Sequence, residues 1–383
     1  TIIHNYIIMA NTIKLGNGNW ATKEGSLLAY NDENNNFKPL PFTTTRASSA
    51  TVVNKQGLIE TVGSGIPRID FSDDANGALL LEPTSTNLVV YSEDFTQTNW
   101  TNSSGTQLSS TTTVTPSGST NAVRVKNVGG ANNDLRSVVS ITSGLTYTNS
   151  VYIRRVSGVG NIRLKDVNGG VVYINGLTSE WQKFSSTVLS NSTNGRFYLE
   201  VNTLNDEIEV WGAQTEQQSY ATSYIKTVGT TQTRVADTAT GSGNSTVINS
   251  SEGVLYAEMK NDIVQNQTIS LRQGTTDSVQ LGLINGNIRC AIVSNNSAVL
   301  DTSTFAYNNG LINKYAIVWN GTNAKTFING QLTNTITTPS PLNLDSLDFQ
   351  NPALAENIVG KIKSVQVYTT ALSDAELTSL TTI

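Results

Sequence analysis

Apolar and polar residues alternate with a period of two along most of the chain. Between residues 46 and 237 the alternation falls into short runs separated by turn residues, as in "VYIRRV" at 151–156. In that run Val151 and Ile153 fall on one side and Tyr152 on the other, as successive residues of a strand do. Strands that recur about every 8 to 12 residues, with no helical pattern between them, predict an antiparallel sandwich or jelly roll.

A second series of alternating runs begins after residue 253. Two Asn-Gly pairs stand between its apolar runs, Asn285-Gly286 in "LINGNIR" and Asn329-Gly330 in "FINGQL". Asn-Gly favours a two-residue type I′ turn because both central residues of that turn need positive φ. The two pairs therefore predict β-hairpins.

The C-terminal stretch "ALSDAELTSL" carries the strongest helical pattern of the sequence. Ser373 is a candidate N-cap, and Glu376 follows three residues later, which completes a capping box. Leu372, Leu377 and Leu380 form the apolar stripe expected on one side of a short helix.

These patterns predict an all-β chain of two antiparallel β-sandwich (jelly-roll) domains in tandem after an extended N-terminal arm. Residues 1–45 are polar and rich in turns, which favours an attachment arm, with a disordered tail as the alternative. A jelly roll is predicted at 46–237, a linker at 238–253 because that stretch is nearly devoid of apolar residues, and a second sandwich at 254–383. We expect residues 1–45 to be dispensable for folding of the rest.

Composition and charge exclude several classes of function. Hydrophobic residues make up 37% of the sequence, charged residues 14%, and the net charge is −5. Lys and Arg do not cluster into the positive field that phosphate binding requires, so nucleic acid is not an expected partner. The single Cys, Cys290, and the single His, His4, are far apart in the sequence. This excludes an internal disulfide, a His-based metal site and a Ser-His-Asp device.

The N-terminal stretch from Ile2 to Ala10 is apolar but does not have the pattern of a signal peptide. It lacks a basic leader and is interrupted by His4 and Asn5. Met9 is an alternative start, and whether translation begins before it stays open. Because no run approaches the roughly 18 apolar residues of a membrane helix, we expect no membrane insertion.

Two sets of motifs resemble known families. The first set resembles a carbohydrate-binding-module-like jelly roll found in bacteriophage virion and tail-fibre proteins; it consists of "RASSAT" from Arg46, "GALLLEPTSTNLVVYSEDF", "SEWQKFSSTV", "VWGAQTEQQSYATSYIKT" and "TRVAD" up to Asp237. The second set, "KYAIVWNGTNAKTFINGQL" and "GKIKSVQVYTTALSDAELTSL", resembles a concanavalin-A-like, laminin-G-like sandwich. That fold serves lectins, hydrolases and structural spacers alike.

The first resemblance implies a non-enzymatic phage fibre or decoration protein on the virion surface. Its expected partners are other virion proteins, contacted through the N-terminal arm, and a host-surface or environmental glycan. A homotrimer is implied by the same resemblance, while head or tail location stays open. The alternatives are a glycan depolymerase or glycanase accessory protein and a bacterial surface adhesin.

Paired carboxylates are the remaining candidates for catalysis, because a glycosidase needs only two. Glu207, Glu209 and Trp211 in "DEIEVWG" share one strand face. Exposed Glu is far more common than catalytic Glu, so solvated edge carboxylates are the preferred interpretation. Similarly, the hydroxyl-rich and aromatic stretch from Glu216 to Asp237 is interpreted as a structural clasp for the first domain.

Sugar binding requires an aromatic ring for stacking and polar groups for the hydroxyls. We select Trp100 in "QTNWTNSSG" and the predicted loop Tyr307, Asn308 and Asn309, because loops are exposed. Other aromatic candidates, each with a core alternative, are Tyr173, Trp181 and Tyr198. Trp181 and Trp319 stand within strand motifs, so we expect them to be buried. No cofactor is expected; a structural calcium ion is left open by analogy, with Asp262, Asp277 and Asp345 as its candidate ligands.

Overall fold

The computed structural model describes residues 12–16, 21–23, 26–29, 40–131, 133–260, 265–337, 342–353 and 356–383. Across these ranges antiparallel strands dominate and a short helix lies near the C-terminus, so the predicted all-β class is confirmed. His4, Met9 and Asp262 lie outside the described residues, as does most of the predicted arm. In the described part of the chain, no helix has the length and apolar character needed to cross a membrane.

The strands follow one another in short segments. The first sixteen are β1 (Thr12–Gly16), β2 (Ala21–Lys23), β3 (Ser26–Ala29), β4 (Leu40–Thr45), β5 (Ala50–Val53), β6 (Ile59–Val62), β7 (Ile69–Asp70), β8 (Ala78–Leu81), β9 (Ser85–Asn87), β10 (Trp100–Asn102), β11 (Thr106–Ser110), β12 (Val123–Asn127), β13 (Asn133–Ser140), β14 (Thr146–Ser157), β15 (Ile162–Lys165) and β16 (Val171–Ile174). The remaining elements are β17 (Gln182–Leu189), β18 (Asn194–Val201), β19 (Glu207–Glu216), β20 (Gln232–Arg234), β21 (Thr238–Thr240), β22 (Gly253–Lys260), β23 (Gln267–Gln273), β24 (Asp277–Ile284), β25 (Asn287–Ser294), β26 (Ser297–Ala306), β27 (Ile312–Trp319), β28 (Asn323–Ile328), β29 (Gln331–Thr337), β30 (Ser346–Asp348), β31 (Gly360–Tyr368) and α1 (Asp374–Thr381).

The chain folds into two compact units, each built from separate segments. Unit 1 comprises the described residues of 1–47, 64–83 and 236–383, and unit 2 comprises those of 48–63 and 84–235. This division moves the predicted boundaries in unit 1, which takes in the segment 64–83 and all of the predicted linker.

Unit 1 is a sandwich whose two sheets pack their apolar faces together. One sheet has the order β29-β28-β27-β22-β31-β8-β7, with β1 also paired to β31, and the other has the order β26-β25-β24-β23-β30. Leu255 and Val365 from the first sheet share a core with Leu281 and Ile292 from the second. A further sheet, β2-β3-β4-β21, belongs to the same unit.

Two strands in the predicted arm, β1 and β4, contribute residues to the core of unit 1, which corrects that expectation. β1 pairs with β31, and its alternate residues Ile13 and Leu15 are buried. Phe42 in β4 is fully buried and stacks on Phe349 with ring centroids 5.1 Å apart. We therefore expect β1 and β4 to contribute to the stability of unit 1. The alternation of apolar residues at Ile13 and Leu15 is short, and the polar sequence around it favoured the interpretation as an arm.

The predicted linker is also part of unit 1. Its first residues form β21, which pairs with β4, and Val247 and Ile248 lie in the unit 1 core. The segment 64–83 contributes β8, which pairs with β31 and buries Leu79. A low apolar content indicated a flexible linker, but a few well-placed apolar residues suffice to dock a segment on an existing core.

A buried ionic cluster joins the three segments of unit 1. Arg46 pairs with Asp237 at 2.7 Å, and Arg68 pairs with Glu82 at 2.7 Å and also with Asp237. The Glu82 backbone N–H donates to Asp237 Oδ2 at 3.0 Å. Burial alone would lower the pKa of Arg68, but Glu82 and Asp237 hold it above its ordinary value. Charges this deeply buried are tolerated only when they are paired in this way.

The predicted hairpins and the predicted helix are confirmed. Asn285 and Gly286 have φ values of 49° and 81°, and Asn329 has a φ of 49°, so both turns use the left-handed region. α1 begins after the N-cap Ser373, whose side chain accepts from the Glu376 N–H in a complete capping box.

Unit 2 is a second antiparallel sandwich. Its two main sheets have the orders β10-β13-β18-β15-β16 and β11-β12-β19-β14-β17. Phe197 and Leu199 from the first sheet share a core with Val151 and Val210 from the second. The hairpin of β5 and β6 and the pair of β9 and β20 complete the unit. An antiparallel sandwich is thus present at 48–63 and 84–235, within the range 46–237 where the sequence predicts a jelly roll.

The burial of Phe42 predicts that the N-terminal strands stabilise unit 1. A Phe42→Ala substitution should lower the free energy of unfolding of unit 1 by about 3–5 kcal/mol, the cost of emptying an aromatic core position. Hydrogen exchange with peptide resolution measures it, because β22 and β31 should exchange faster while unit 2 peptides stay unchanged. Val159→Ala, at a side chain that is 98% exposed, is the control. Equal exchange in both variants would contradict this role of Phe42.

Candidate functional site

One outer face of the unit 2 sandwich is covered by its own chain. Trp211 points outward from β19 yet is fully buried. Its ring centroid lies 4.5 Å from that of Tyr224 and 5.6 Å from that of Tyr152, and Ile59 of the β5–β6 hairpin packs in the same cluster. The unit 2 part of the predicted clasp, residues 216–235, lies over Trp211, and we use the name clasp for these residues from here on.

Hydrogen bonds to the buried Glu216 fix the beginning of the clasp. Its carboxylate accepts from the Thr222 N–H at 3.0 Å, from the Thr222 hydroxyl and from the Ser85 hydroxyl at 2.6 Å. Asn87 donates to the carbonyl oxygens of Ala213 at 3.1 Å and Ile225 at 2.8 Å. The structural role that the sequence predicted for this stretch is confirmed.

Tyr224 closes the clasp at its aromatic end. Its hydroxyl lies 2.6 Å from the Ser92 hydroxyl and donates to Glu93 Oε1 at 2.9 Å. Burial, followed by the negative charge of Glu93, holds the pKa of Tyr224 well above its ordinary value. The phenol therefore stays protonated and serves as a fixed donor.

The opposite outer face of unit 2 is open to solvent. Along β13, β15 and β18, alternate residues such as Leu135, Leu164 and Leu199 point into the core, so their neighbours point outward. We call this outward surface the tyrosine face. Its residues are Thr101, Asp134, Arg136, Val138, Ser140, Arg163, Lys165, Val171, Tyr173, Asn194, Arg196, Tyr198 and Glu200.

Tyr198 lies at the centre of the tyrosine face. The register places Arg136 on one side of it and Lys165 on the other. Lys165 Nζ is 4.1 Å from the ring centroid and Arg136 Cζ is 6.0 Å from it, which are cation–π distances. The hydroxyl donates to Asp134. Burial and this acceptor raise the pKa of Tyr198 to about 12.

Tyr173 provides a second ring at the edge of the tyrosine face. It is 50% exposed on β16 and pairs in register with Arg163. Arg163 Cζ lies 5.2 Å from the ring centroid. A half-exposed ring with its neighbour's guanidinium beside it is a ready contact surface for a ligand.

Carboxylates link the cations of the tyrosine face. Glu200 accepts from Lys165 at 2.5 Å and lies 3.4 Å from Arg163, while Asp134 lies 3.5 Å from Arg136. Two buried side-chain atoms of the tyrosine face, Asp134 Oδ1 and Arg163 Nε, have no hydrogen-bond partner in the described part of the chain. Such atoms are costly to leave unpaired, and a polar ligand would satisfy them.

Trp100 is a core residue, which corrects its selection as a sugar-binding candidate. It is 6% exposed, and its ring lies 4.7 Å from Phe95 and 5.5 Å from Phe197 between centroids. Its Nε1–H donates to the Tyr91 carbonyl at 2.9 Å. The sequence around it reads as a loop, but the residue begins β10 and its ring fills the sandwich.

Only part of the predicted loop of Tyr307, Asn308 and Asn309 is exposed to a sugar ligand. Tyr307 is 8% exposed and belongs to the unit 1 core, whereas both Asn side chains are exposed. Asn308 lines a pocket of about 440 Å³ in unit 1 together with Leu311 and Lys361. The loop offers amide groups without an aromatic ring, so Tyr307 is not a stacking surface.

The cations in this pocket are held by carboxylates of the same pocket. Lys361 lies 2.9 Å from Asp70 and 2.8 Å from Asp73, and Lys363 lies 2.6 Å from Asp74. Burial opposes the charge of Lys361, but the two carboxylates raise its pKa above the ordinary value. The pairs leave little charge for a ligand, and the tyrosine face is the stronger candidate.

Glu209 is a buried ion-pair acceptor. It accepts from Arg124 at 2.9 Å, from Arg154 at 2.8 Å and from the Thr111 and Thr113 hydroxyls. Burial favours its protonated form, but these hydrogen bonds outweigh burial and hold the pKa of Glu209 below its ordinary value. A general acid of a glycosidase needs the opposite shift. The preferred interpretation of Glu209 as a solvated edge carboxylate is wrong, because the side chain is buried.

The two described candidate calcium ligands, Asp277 and Asp345, accept hydrogen bonds from groups of the protein. Asp277 accepts from the backbone N–H groups of Asn295 at 2.8 Å and Asn343 at 3.0 Å, and Asp345 accepts from Gln273 at 3.1 Å. Across the described ranges, no group of three or more His, Cys, Asp or Glu could hold a metal ion. Burial raises the pKa of the Cys290 thiol to about 12, so it is an inert core residue.

Comparisons with known proteins bear on the fold. Residues 244–378 match the family model described as the concanavalin A-like lectin/glucanases superfamily, which confirms the predicted fold of the C-terminal sandwich. No curated protein matches the sequence.

Several solved structures show limited similarity to parts of the chain. The CBM40 domain of the Ruminococcus gnavus IT-sialidase, bound to α2,3-sialyllactose, is 19% identical over 37% of this chain and 93% of its own, with a TM-score of 0.31. Domain 4 of the Geobacillus stearothermophilus arabinanase AbnA is 16% identical over 38% and 73%, with a TM-score of 0.31. The CBM22-1 xylan-binding domain of Paenibacillus barcinonensis Xyn10C is 18% identical over 36% and 94%, with a TM-score of 0.27.

The lowered pKa of Glu209 predicts a specific pH dependence of stability. Its ion pairs stabilise the fold above the ordinary value of 4.5 and are lost as the pH falls through the lowered folded value. Glu209→Gln should therefore cost about 1–3 kcal/mol of unfolding free energy at pH 7, and the difference from the unsubstituted chain should shrink below about pH 4.5. Denaturant unfolding across this pH range measures it, with the exposed Glu180→Gln as the control. A difference that stays constant down to pH 3 would rule out this assignment.

Proposed function

We propose that the chain binds glycans without catalysis through the tyrosine face of unit 2. The observation that carries the proposal is the open sheet surface on which Tyr173 and Tyr198 stand among cations and carboxylates. Aromatic rings contact the apolar faces of sugar rings, and charged or amide groups bind their hydroxyls.

The geometry suits an extended oligosaccharide. Tyr173 and Tyr198 lie on strands separated by β15, and the register offsets them by two residues along the strand direction. Strand spacing and rise place their Cα atoms roughly 12 Å apart. A ligand of several sugar units would contact both rings, whereas a single monosaccharide would contact one.

A binding role without catalysis is supported by the carboxylates of unit 2. Glu209 is committed to two arginines and has a lowered pKa, and Glu200 is paired with Lys165 and Arg163. The lowered pKa of Glu209 is the opposite of what the protonated acid of glycoside hydrolysis requires, and the carboxylate oxygens of Glu200 are occupied by ion pairs. Release of reducing ends from a polysaccharide by the purified chain, abolished by Glu209→Gln, would favour the glycanase alternative.

We further propose that the protein is a surface component of a phage virion. The support for this proposal is the resemblance of "RASSAT", "VWGAQTEQQSYATSYIKT" and "TRVAD" to phage virion proteins. A tagged copy of the full chain should purify with phage particles, label their surface in electron micrographs and sediment as a trimer with three times the 41.1 kDa chain mass. Absence from particles would remove the virion role and leave the glycan proposal standing.

Binding through the tyrosine face predicts a clear difference between two substitutions of Tyr173. Tyr173→Ala should weaken glycan binding about tenfold, equivalent to the loss of about 1.4 kcal/mol of contact energy. Tyr173→Phe should stay within about threefold of the unsubstituted chain, because it keeps the ring. A glycan array followed by calorimetry on the full chain measures both affinities.

The outcomes of this experiment separate the site from the function. Glycan binding that neither substitution changes would place the site elsewhere in the chain. The absence of binding to every glycan on the array would contradict the proposed function itself.

A further inference from the structure

We infer that the ligand of the tyrosine face is an acidic glycan, one whose sugars carry carboxylate or sulfate groups. The inference rests on the proposed function and names its substrate class. Its starting observation is that this surface is positively charged in a chain whose net charge is −5.

The charges of the tyrosine face do not cancel. Among its described residues, four cations, Arg136, Arg163, Lys165 and Arg196, face two carboxylates, Asp134 and Glu200, which leaves a surplus of two positive charges. The surplus lies on a solvent-exposed sheet, where a ligand anion can reach it.

Three of the four cations lie around Tyr198. Arg136 and Lys165 flank its ring from the neighbouring strands, and Arg196 lies two residues before it on the same face of β18. Arg196 is exposed and makes no ion pair or side-chain hydrogen bond with the residues that the structure describes. Its guanidinium is free to form a two-pronged contact with a carboxylate or sulfate.

The remaining polar atoms suit the hydroxyl groups of a sugar. Asp134 Oδ1 is a buried acceptor without a partner in the described residues, and Arg163 Nε is a donor in the same situation. Asp134 is 5% exposed and its other oxygen already accepts from Tyr198. A sugar hydroxyl both donates and accepts, so the hydroxyls of one sugar can donate to Asp134 Oδ1 and accept from Arg163 Nε.

The same charges disfavour a nucleic acid as the ligand. A polynucleotide brings one phosphate for every nucleotide, and it would meet Asp134 and Glu200 as well as the cations. A glycan with spaced acidic groups can meet Arg196 and Lys165 while its hydroxyls meet the carboxylates. Neutral rings between its acidic groups can also contact Tyr173.

The test compares matched acidic and neutral ligands. The full chain is titrated with oligogalacturonate and its methyl ester, with sialylated and desialylated oligosaccharides, with a sulfated oligosaccharide and with a DNA oligonucleotide. We expect at least a tenfold preference for the acidic member of one or more pairs, and weaker binding at higher salt. The carboxylate and sulfate arms identify which acidic group is bound.

Arg196→Gln supplies the residue-level test. It should reduce affinity for the acidic ligand about tenfold and leave affinity for the neutral partner within twofold. Lys126→Gln is the matched control, because it changes the net charge equally but lies on β12 of the other main sheet. Neither Arg196 nor Lys126 makes an ion pair with a described residue, so we expect both variants to fold. Their thermal unfolding temperatures check this.

Each outcome decides a different statement. Equal affinity for acidic and neutral partners, unaffected by Arg196→Gln, overturns the acidic preference and leaves glycan binding in place. Equal or stronger binding of the DNA oligonucleotide overturns the choice of a glycan. Binding to none of the ligands overturns both this inference and the proposed function.

Discussion

The burial of Trp211 beneath the clasp determines which surface of unit 2 can have a function. A two-sheet sandwich has two outer faces, and each must be solvated, covered or used. Here the clasp covers one of the two faces with Tyr224. Glu216 is fully buried at the start of the clasp, and the hydrogen bonds it accepts, such as that from the Thr222 N–H, offset the free-energy cost of burying its charge. The opposite face leaves Tyr173 half-exposed and Arg196 exposed, and the proposed ligand site lies there.

Unit 1 differs from unit 2 in that three separate segments of the chain form one core. Asp237 accepts from Arg46 and Arg68, which brings a residue of each segment to one point. Removing one member of such a cluster leaves a buried charge without a partner, which strongly destabilises the fold. The cluster therefore favours the arrangement in which all three segments meet. The apolar faces of β1, β8 and β31 then pack together in the core.

Local patterns predicted local structure well, and they failed where a segment docks on a distant core. Asn-Gly turns and the Ser373 capping box depend on a few adjacent residues, and both were predictable. Phe42 in the supposed arm stacks on Phe349, and Trp100 in the supposed loop packs on Phe197; no local pattern reveals partners at such a sequence distance. Tyr198 was a candidate, but its importance comes from Arg136 and Lys165 on two other strands, and only the register of the sheet brings them together.

The central claim is that an acidic oligosaccharide binds on the open face of unit 2. Chemical-shift mapping of the isotope-labelled full chain, titrated with the best ligand, tests this most directly because it follows each surface in one experiment. The account predicts that shifts concentrate on β13, β15, β16 and β18 and spare the clasp. Shifts centred on the clasp or on the unit 1 pocket around Lys361 would contradict it.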